Sequence, residues 1–162
     1  MKLNWKKGTF SNTYKLYSNG REVGELAEKS FSSNAIGILL NKKFRFETSG
    51  FLKQTTNIID IESNKKVGDI TYNGFCSKAT ATFNNDTFVW KYENVWNTKW
   101  SFNQNDKKLV TSSVSFSSGT VESKTEEAIY LLTALFIDTY YRKMAIVAII
   151  VIFIPIWMAS FN

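Results

Sequence analysis

From residue 2 to about residue 124 the chain alternates apolar and polar side chains in short runs, and after residue 126 the alternation gives way to continuous apolar sequence. The segment KFRFET sets Phe44 and Phe46 against Arg45 and Glu47, and ATATF sets Ala79, Ala81 and Phe83 against Thr80 and Thr82. A period of two is the signature of a strand with one buried face. Turn-forming residues punctuate the pattern at Ser18-Asn19-Gly20, Asn41-Lys42, Ser63-Asn64, Asn84-Asn85-Asp86, Asn105-Asp106 and Ser117-Ser118-Gly119. The spacing predicts about twelve strands, near residues 3–7, 11–17, 21–27, 34–40, 43–49, 53–61, 66–72, 77–84, 87–93, 96–104, 107–116 and 119–124.

Displacing the chain by forty-four residues superimposes YSNGREVGEL on IESNKKVGDI without a gap. Val23, Gly24, Phe31, Ser33, Ala35, Asn41 and Phe44 then meet Val67, Gly68, Phe75, Ser77, Ala79, Asn85 and Phe88, while Phe46 meets Trp90. One supersecondary unit has been reused, with a third, eroded copy expected from Trp100 onward.

The C-terminal region predicts two helices. Residues 126 to 142 are apolar around most of the circumference yet carry Glu126, Glu127, Asp138 and Arg142, which argues for burial in protein rather than lipid. Residues 144 to 161 contain no charged residue. As a helix they reach about 27 Å, close to the thickness of a bilayer core. Arg142 and Lys143 on one side and Trp157 near the other are interfacial in type, so this segment is expected to be a transmembrane anchor despite Pro155.

Twelve antiparallel strands avoid exposed edges by closing into a barrel, but a barrel that wide is not filled by its own wall, since about eight strands already suffice for that. A helix about 10 to 12 Å across is the right plug, and 126 to 142 is the candidate. Small wall residues, Ala35 and Gly37 in one copy and Ala79 and Ala81 in the other, would let it approach closely. The expected fold class is therefore mainly β with C-terminal helices: a closed antiparallel barrel around a central apolar helix over residues 1 to 143, then the anchor at 144 to 161.

This arrangement resembles the tubby C-terminal domain superfamily, which includes the phospholipid scramblases and the LURP-one-related proteins. The helix carries the likeness in Leu135-Phe136-Ile137-Asp138 followed by Tyr140-Tyr141, and the strands carry it in VGEL and VGDI. The resemblance implies work at membranes, by binding anionic phospholipid headgroups or by moving phospholipids between leaflets. No segment matches the tubby lipid pocket, so its residues do not transfer. The chain also departs from scramblases in lacking a proline-rich leader and a cysteine cluster, and in adding residues 144 to 161.

Composition narrows the chemistry. The chain has no histidine, one cysteine and three arginines, with net charge +6. An internal disulfide is impossible, and the start, MKLNWKKGTF, has no apolar stretch of the secretory kind. Without histidine there is no Ser-His-Asp or Cys-His pair, and no phosphate-loop or dinucleotide fingerprint appears, so no enzyme activity, metal or cofactor is expected. Cys76 reads as a small hydrophobe, and Asp60, Glu62 and Asp69 lack calcium-loop spacing. Interspersed acids and few arginines argue against nucleic acid, leaving the lipid bilayer and its anionic headgroups as partners. Arg142-Lys143 beside an uncharged span puts the barrel on the cytosolic side of a single-pass protein.

Two groups of side chains stand out as candidates. Turns after even-numbered strands share one rim and collect Arg21, Lys42, Lys43, Lys65, Lys66, Lys107 and Lys108 against Glu22, Asp86 and Asp106, a surface for an anionic partner facing away from the protein's own bilayer. The anchor is then expected to leave from the opposite, less basic rim. Asp138 is the acid expected to be buried, paired with Arg142 one helical turn on. A carrier barrel for an apolar ligand and a protein-interaction scaffold are the alternatives.

Overall fold

The computed structural model describes residues 1–30, 32–50, 54–74 and 77–159, and for residues 152–156, 158 and 159 it describes the backbone alone. Twelve strands run in order: β1 (Lys2–Lys7), β2 (Thr13–Ser18), β3 (Arg21–Glu28), β4 (Ala35–Leu39), β5 (Lys42–Ser49), β6 (Thr55–Asp60), β7 (Lys65–Tyr72), β8 (Lys78–Phe83), β9 (Asp86–Tyr92), β10 (Lys99–Gln104), β11 (Lys107–Val114) and β12 (Ser118–Ser123). Each pairs antiparallel with its neighbours in sequence, and β12 pairs with β1, so the sheet closes into an up-and-down barrel. Every strand falls on a segment marked by the alternation, with ends displaced by three residues at most. The largest displacement is at β10, because Asn94 holds residues 93–98 as a loop: its Oδ1 accepts from the backbone N–H of Thr98 and Lys99.

The repeat becomes a threefold pattern in the barrel. Hairpins β2–β3, β6–β7 and β10–β11 each carry a register shift, at Leu16/Tyr17, Ile58/Ile59 and Phe102/Asn103. The following pairs oppose a small residue to a large aromatic: Ala35 to Phe46, Ala79 to Trp90, and Gly119 to Trp5. The third copy is hard to see in the chain because it straddles the closure, with β1 supplying the strand that β5 and β9 supply elsewhere. Matching small to large at each pair is what lets bulky rings point inward without splaying the wall.

Inside lies a single helix, α1 (Ala128–Ala159). The two helices expected from sequence are thus one, and the break between them is absent. No glycine or proline occurs from Ala128 to Ile154, so nothing stops propagation through Arg142-Lys143-Met144. Its start lies two residues later than expected, where Thr125 Oγ1 accepts from the Glu127 N–H at 3.1 Å. From Ala128 to Tyr141 the helix is buried apart from the half-buried Ile129 and Tyr130, and Ala145 to Val151 are exposed. The plug and the projecting tail are two halves of one element.

Aromatic contacts seat the plug. Phe136 stacks on Phe46 at 4.5 Å, Tyr140 on Tyr72 at 4.0 Å, and Tyr130 meets Phe83 and Phe88. One turn before Phe136, Leu132 faces Gly37, where a Cβ would lie 3.0 Å from Leu132 Cδ2. The absence of a side chain at Gly37 sets how near the helix comes to β4. Among the described residues no helix is long and apolar enough to cross a membrane. Much of the expected span, namely residues 160 and 161 and the side chains of 152–156, 158 and 159, lies outside them.

A test of this packing uses Gly119, where a Cβ would sit 2.6 Å from Trp5 Nε1. Gly119→Ala is expected to cost about 1–3 kcal/mol in urea unfolding, the usual penalty for overpacking. Combining it with Trp5→Phe should give a total loss smaller than the sum of the two single losses.

Candidate functional site

Twelve is even, so β12 ends at the rim where β1 begins, and α1 must enter there and leave at the other. We call these the proximal and distal rims. Proximal connections are two residues long except for residues 61–64, and the turns use left-handed Asn19, Gly20, Asn41, Asn64, Asn84, Asn105 and Asp106. Such residues are the natural occupants of tight hairpins. Distal connections run from three to six residues. The two ends therefore differ in what they can present.

Arg21, Lys42, Lys43, Lys65, Lys66 and Lys107 are all exposed at the proximal rim, while Lys108 lies back along the outer wall with its ammonium 2.7 Å from Glu93. Lys66 pairs with Asp69 at 3.2 Å. Topology brings more acids to this end than the turns after even-numbered strands contributed in sequence: beside Glu22, Asp86 and Asp106 stand Asp60 at the end of β6, Glu62 in the β6–β7 connection, and Glu126 and Glu127 just before α1. With Lys2, Lys124 and Glu122 from the strand ends, the two signs are close to even.

The distal rim differs from expectation. Lys7, Lys29, Lys78, Lys99, Arg142 and Lys143 gather there, outnumbering Glu28, Glu93 and Asp138, and each of those three acids is ion-paired. The helix leaves from the more basic end. Sequence reasoning undercounted this rim because its cations sit in longer loops and at strand ends rather than in recognisable turns. The same loops carry Phe10, Val95, Trp96 and Phe116, whose side chains are almost wholly exposed.

At the exit point Asp138 has no exposed surface and accepts from Arg142 Nε at 2.9 Å. Arg142 also donates to the Ser115 carbonyl at 3.0 Å and lies over the Trp5 ring. Burial pushes the Asp138 carboxyl up to about 6, against the opposing pull of Arg142. The Trp100 indole adds a weaker downward pull, but Trp100 Nε1 and Asp138 Oδ1 each lack a partner in hydrogen-bond geometry. Neighbouring anchors are Tyr141, whose hydroxyl donates to the Lys78 carbonyl at 2.5 Å, Tyr140 to Gln54, and Lys143 to the Ser32 carbonyl. Asp138 thus belongs to a clamp that fixes the helix where it leaves the barrel.

Two grooves flank that clamp. One, about 340 Å³, lies among Lys7, Tyr14, Glu28, Lys29, Arg142 and Lys143. The other, about 570 Å³, lies among Tyr92, Trp96, Phe116, Tyr141, Arg142 and Ala145. Burial also raises the Glu28 carboxyl, with Lys7 and Lys143 opposing. Trp157 is largely exposed on the projecting half of α1, and Cys76 lies outside the described residues. Among the described residues no cluster of His, Cys, Asp or Glu could hold a metal ion. No protein-family model, curated protein or solved structure matches the chain.

Because the fold holds the Asp138 proton more tightly than the unfolded chain does, this group favours the folded state fully below its ordinary value of 3.8 and ceases to do so as pH rises through about 6. A difference of that size corresponds to ~3 kcal/mol. Urea unfolding of the wild type and Asp138→Asn at a series of pH values should show the wild-type advantage shrinking between pH 4 and 6. Glu28 titrates in both proteins and cancels in the comparison. A difference independent of pH would show that Asp138 ionises normally.

Proposed function

We propose that this chain is a single-pass, membrane-anchored, non-enzymatic barrel of the tubby and scramblase kind that binds anionic phospholipid from the cytosolic side. One observation carries the reading: α1 does not end where the barrel ends, and its continuation exposes Ile146, Val147, Ile149, Ile150 and Val151. Taken at 100° per residue these positions spread over about 200° of the helix. A partner helix or groove covers a narrower stripe, whereas lipid covers every side. Residues 144 to 161 are the anchor, with Arg142 and Lys143 at its cytosolic end and Trp157 toward the other.

The filled barrel bears on the alternatives. A carrier of apolar ligands needs an open lumen, and α1 occupies it from Ala128 to Tyr141. Lipid scrambling by the same helix would require withdrawing those side chains from the wall, which forfeits the aromatic stacking and the Asp138 clamp. The tubby likeness in Leu135-Phe136-Ile137-Asp138 and in the repeated VGEL and VGDI supports a lipid role without assigning a headgroup.

Reconstitution of the full chain into phosphatidylcholine–phosphatidylglycerol vesicles tests the anchor. The wild type is expected to remain with the vesicles in alkaline carbonate, and Ile149→Arg with Ile150→Arg to release it, since each mid-span arginine costs about 2.5–3.5 kcal/mol and stays charged at that pH. Extraction of the wild type by carbonate would overturn the reading.

A further inference from the structure

Large apolar side chains exposed on the barrel are distributed very unevenly. Phe10, Val95, Trp96 and Phe116 are 101, 89, 81 and 87 % exposed, and all four lie in distal connections; at the proximal rim Leu40, at 45 %, is the counterpart among the described residues. The three connections concerned, β1–β2, β9–β10 and β11–β12, are consecutive around the barrel, because β12 pairs with β1 and with β11, and β10 with β9 and β11. Their tips form one arc beside the point where α1 emerges. Phe31, Phe51 and Phe75 occur in the other distal connections in sequence, outside the described residues.

We infer that the distal rim itself seats in the bilayer interface, with Phe10, Trp96 and Phe116 entering the headgroup layer beside the emerging helix and Lys7, Lys29, Arg142 and Lys143 meeting lipid phosphates at the same level. This rests on the proposed anchor and goes beyond it, since an anchor turns the distal rim toward the lipid without bringing the two into contact. Leaving three aromatic rings fully in water forfeits about 1.5–3 kcal/mol apiece relative to burying them. Aromatic side chains of this kind are at home at the headgroup level. The cations supply the complementary charge: the smaller groove gathers four of them against Glu28, itself held by Lys7 at 3.8 Å. The loop that carries Trp96 is already ordered, Asn94 accepting from Thr98 and Lys99 N–H at 3.0 Å and donating to Thr98 Oγ1 at 2.8 Å. Little freedom is lost when it docks. A bilayer fits better than a protein surface because the apolar arc is continuous with a helix that is apolar over much of its circumference.

The experiment places Trp96 in depth. In a Trp157→Phe background the remaining indoles are Trp96 and the fully buried Trp5, Trp90 and Trp100, whose signal is subtracted with the Trp96→Phe, Trp157→Phe protein. The full chain is reconstituted in phosphatidylcholine–phosphatidylglycerol vesicles with bromine carried near the top of the acyl chains. Trp96 emission is expected to shift to the blue, to lose most of its quenching by acrylamide and to be quenched by the brominated lipid. Phe10→Ser with Phe116→Ser should restore acrylamide quenching, while charge reversal at Lys42, Lys65, Lys66 and Lys107 on the proximal rim should leave Trp96 unaffected. Trp96 open to acrylamide and untouched by bromine, in a chain that still resists carbonate, would overturn the docking while sparing the anchor. Release by carbonate would overturn both. Shielding of Trp96 without lipid quenching, together with cross-linking of two copies through residues 96 and 116, would overturn it in favour of a protein interface.

Discussion

The structure depends on one piece of packing: a helix fills a lumen that twelve strands cannot fill by themselves. An open sheet of this composition would expose two edges and a face of aromatic rings, and a closed one without a plug would enclose a void large enough to forfeit most of the contacts its wall can make. The segment Ala128 to Tyr141 supplies those contacts, and the wall is shaped to receive it, with Gly37 hollowed for Leu132 and Phe46 and Tyr72 turned flat against Phe136 and Tyr140. Barrel closure and helix burial are therefore one event: neither has an obvious stable form without the other.

Connectivity then polarises the molecule. An even number of strands returns the chain to the rim where it began, so the plug must traverse the whole lumen before it emerges. The tight Asn-rich turns end up where the helix goes in, and the longer connections where it comes out. Short left-handed turns have room for little beyond their own backbone requirements. Loops of five or six residues have tips to spare, and it is there that Phe10 and Trp96 stand. The chemical difference between the two ends follows from parity and turn length before any question of a partner arises.

Much of this was legible in the chain. Period-two alternation around Phe44-Phe46 and Ala79-Ala81-Phe83 located strands, because each has one wet and one buried face, and the all-round apolar character of residues 126 to 142 identified the plug. The third repeat showed only as an eroded copy from Trp100 because its fourth strand is β1, more than a hundred residues from its partners in sequence, so no single offset aligns Trp5 with Phe46 and Trp90. The continuity of α1 was obscured by treating Arg142-Lys143 as a boundary, although charged residues interrupt hydrophobicity without interrupting helix. The distal rim escaped notice for a different reason. Exposed aromatics read in sequence as more core, and they declare themselves as surface only once the strand ends are placed.

That continuity has a mechanical consequence for the proposed membrane role. A flexible linker between barrel and anchor would let the domain tumble above the lipid, and its rims would meet the surface at random. Here the same rods of backbone hydrogen bonds run from the lumen into the tail, and the junction is gripped on opposite sides by Arg142 on Ser115, Lys143 on Ser32 and Tyr141 on Lys78. A helix held in this way transmits its tilt directly to the barrel. Once the tail is fixed in a bilayer, the distal rim is the face that must lie against it, and the charge and aromatic character of that face, rather than of the larger lysine-bearing rim, decide how closely the barrel approaches.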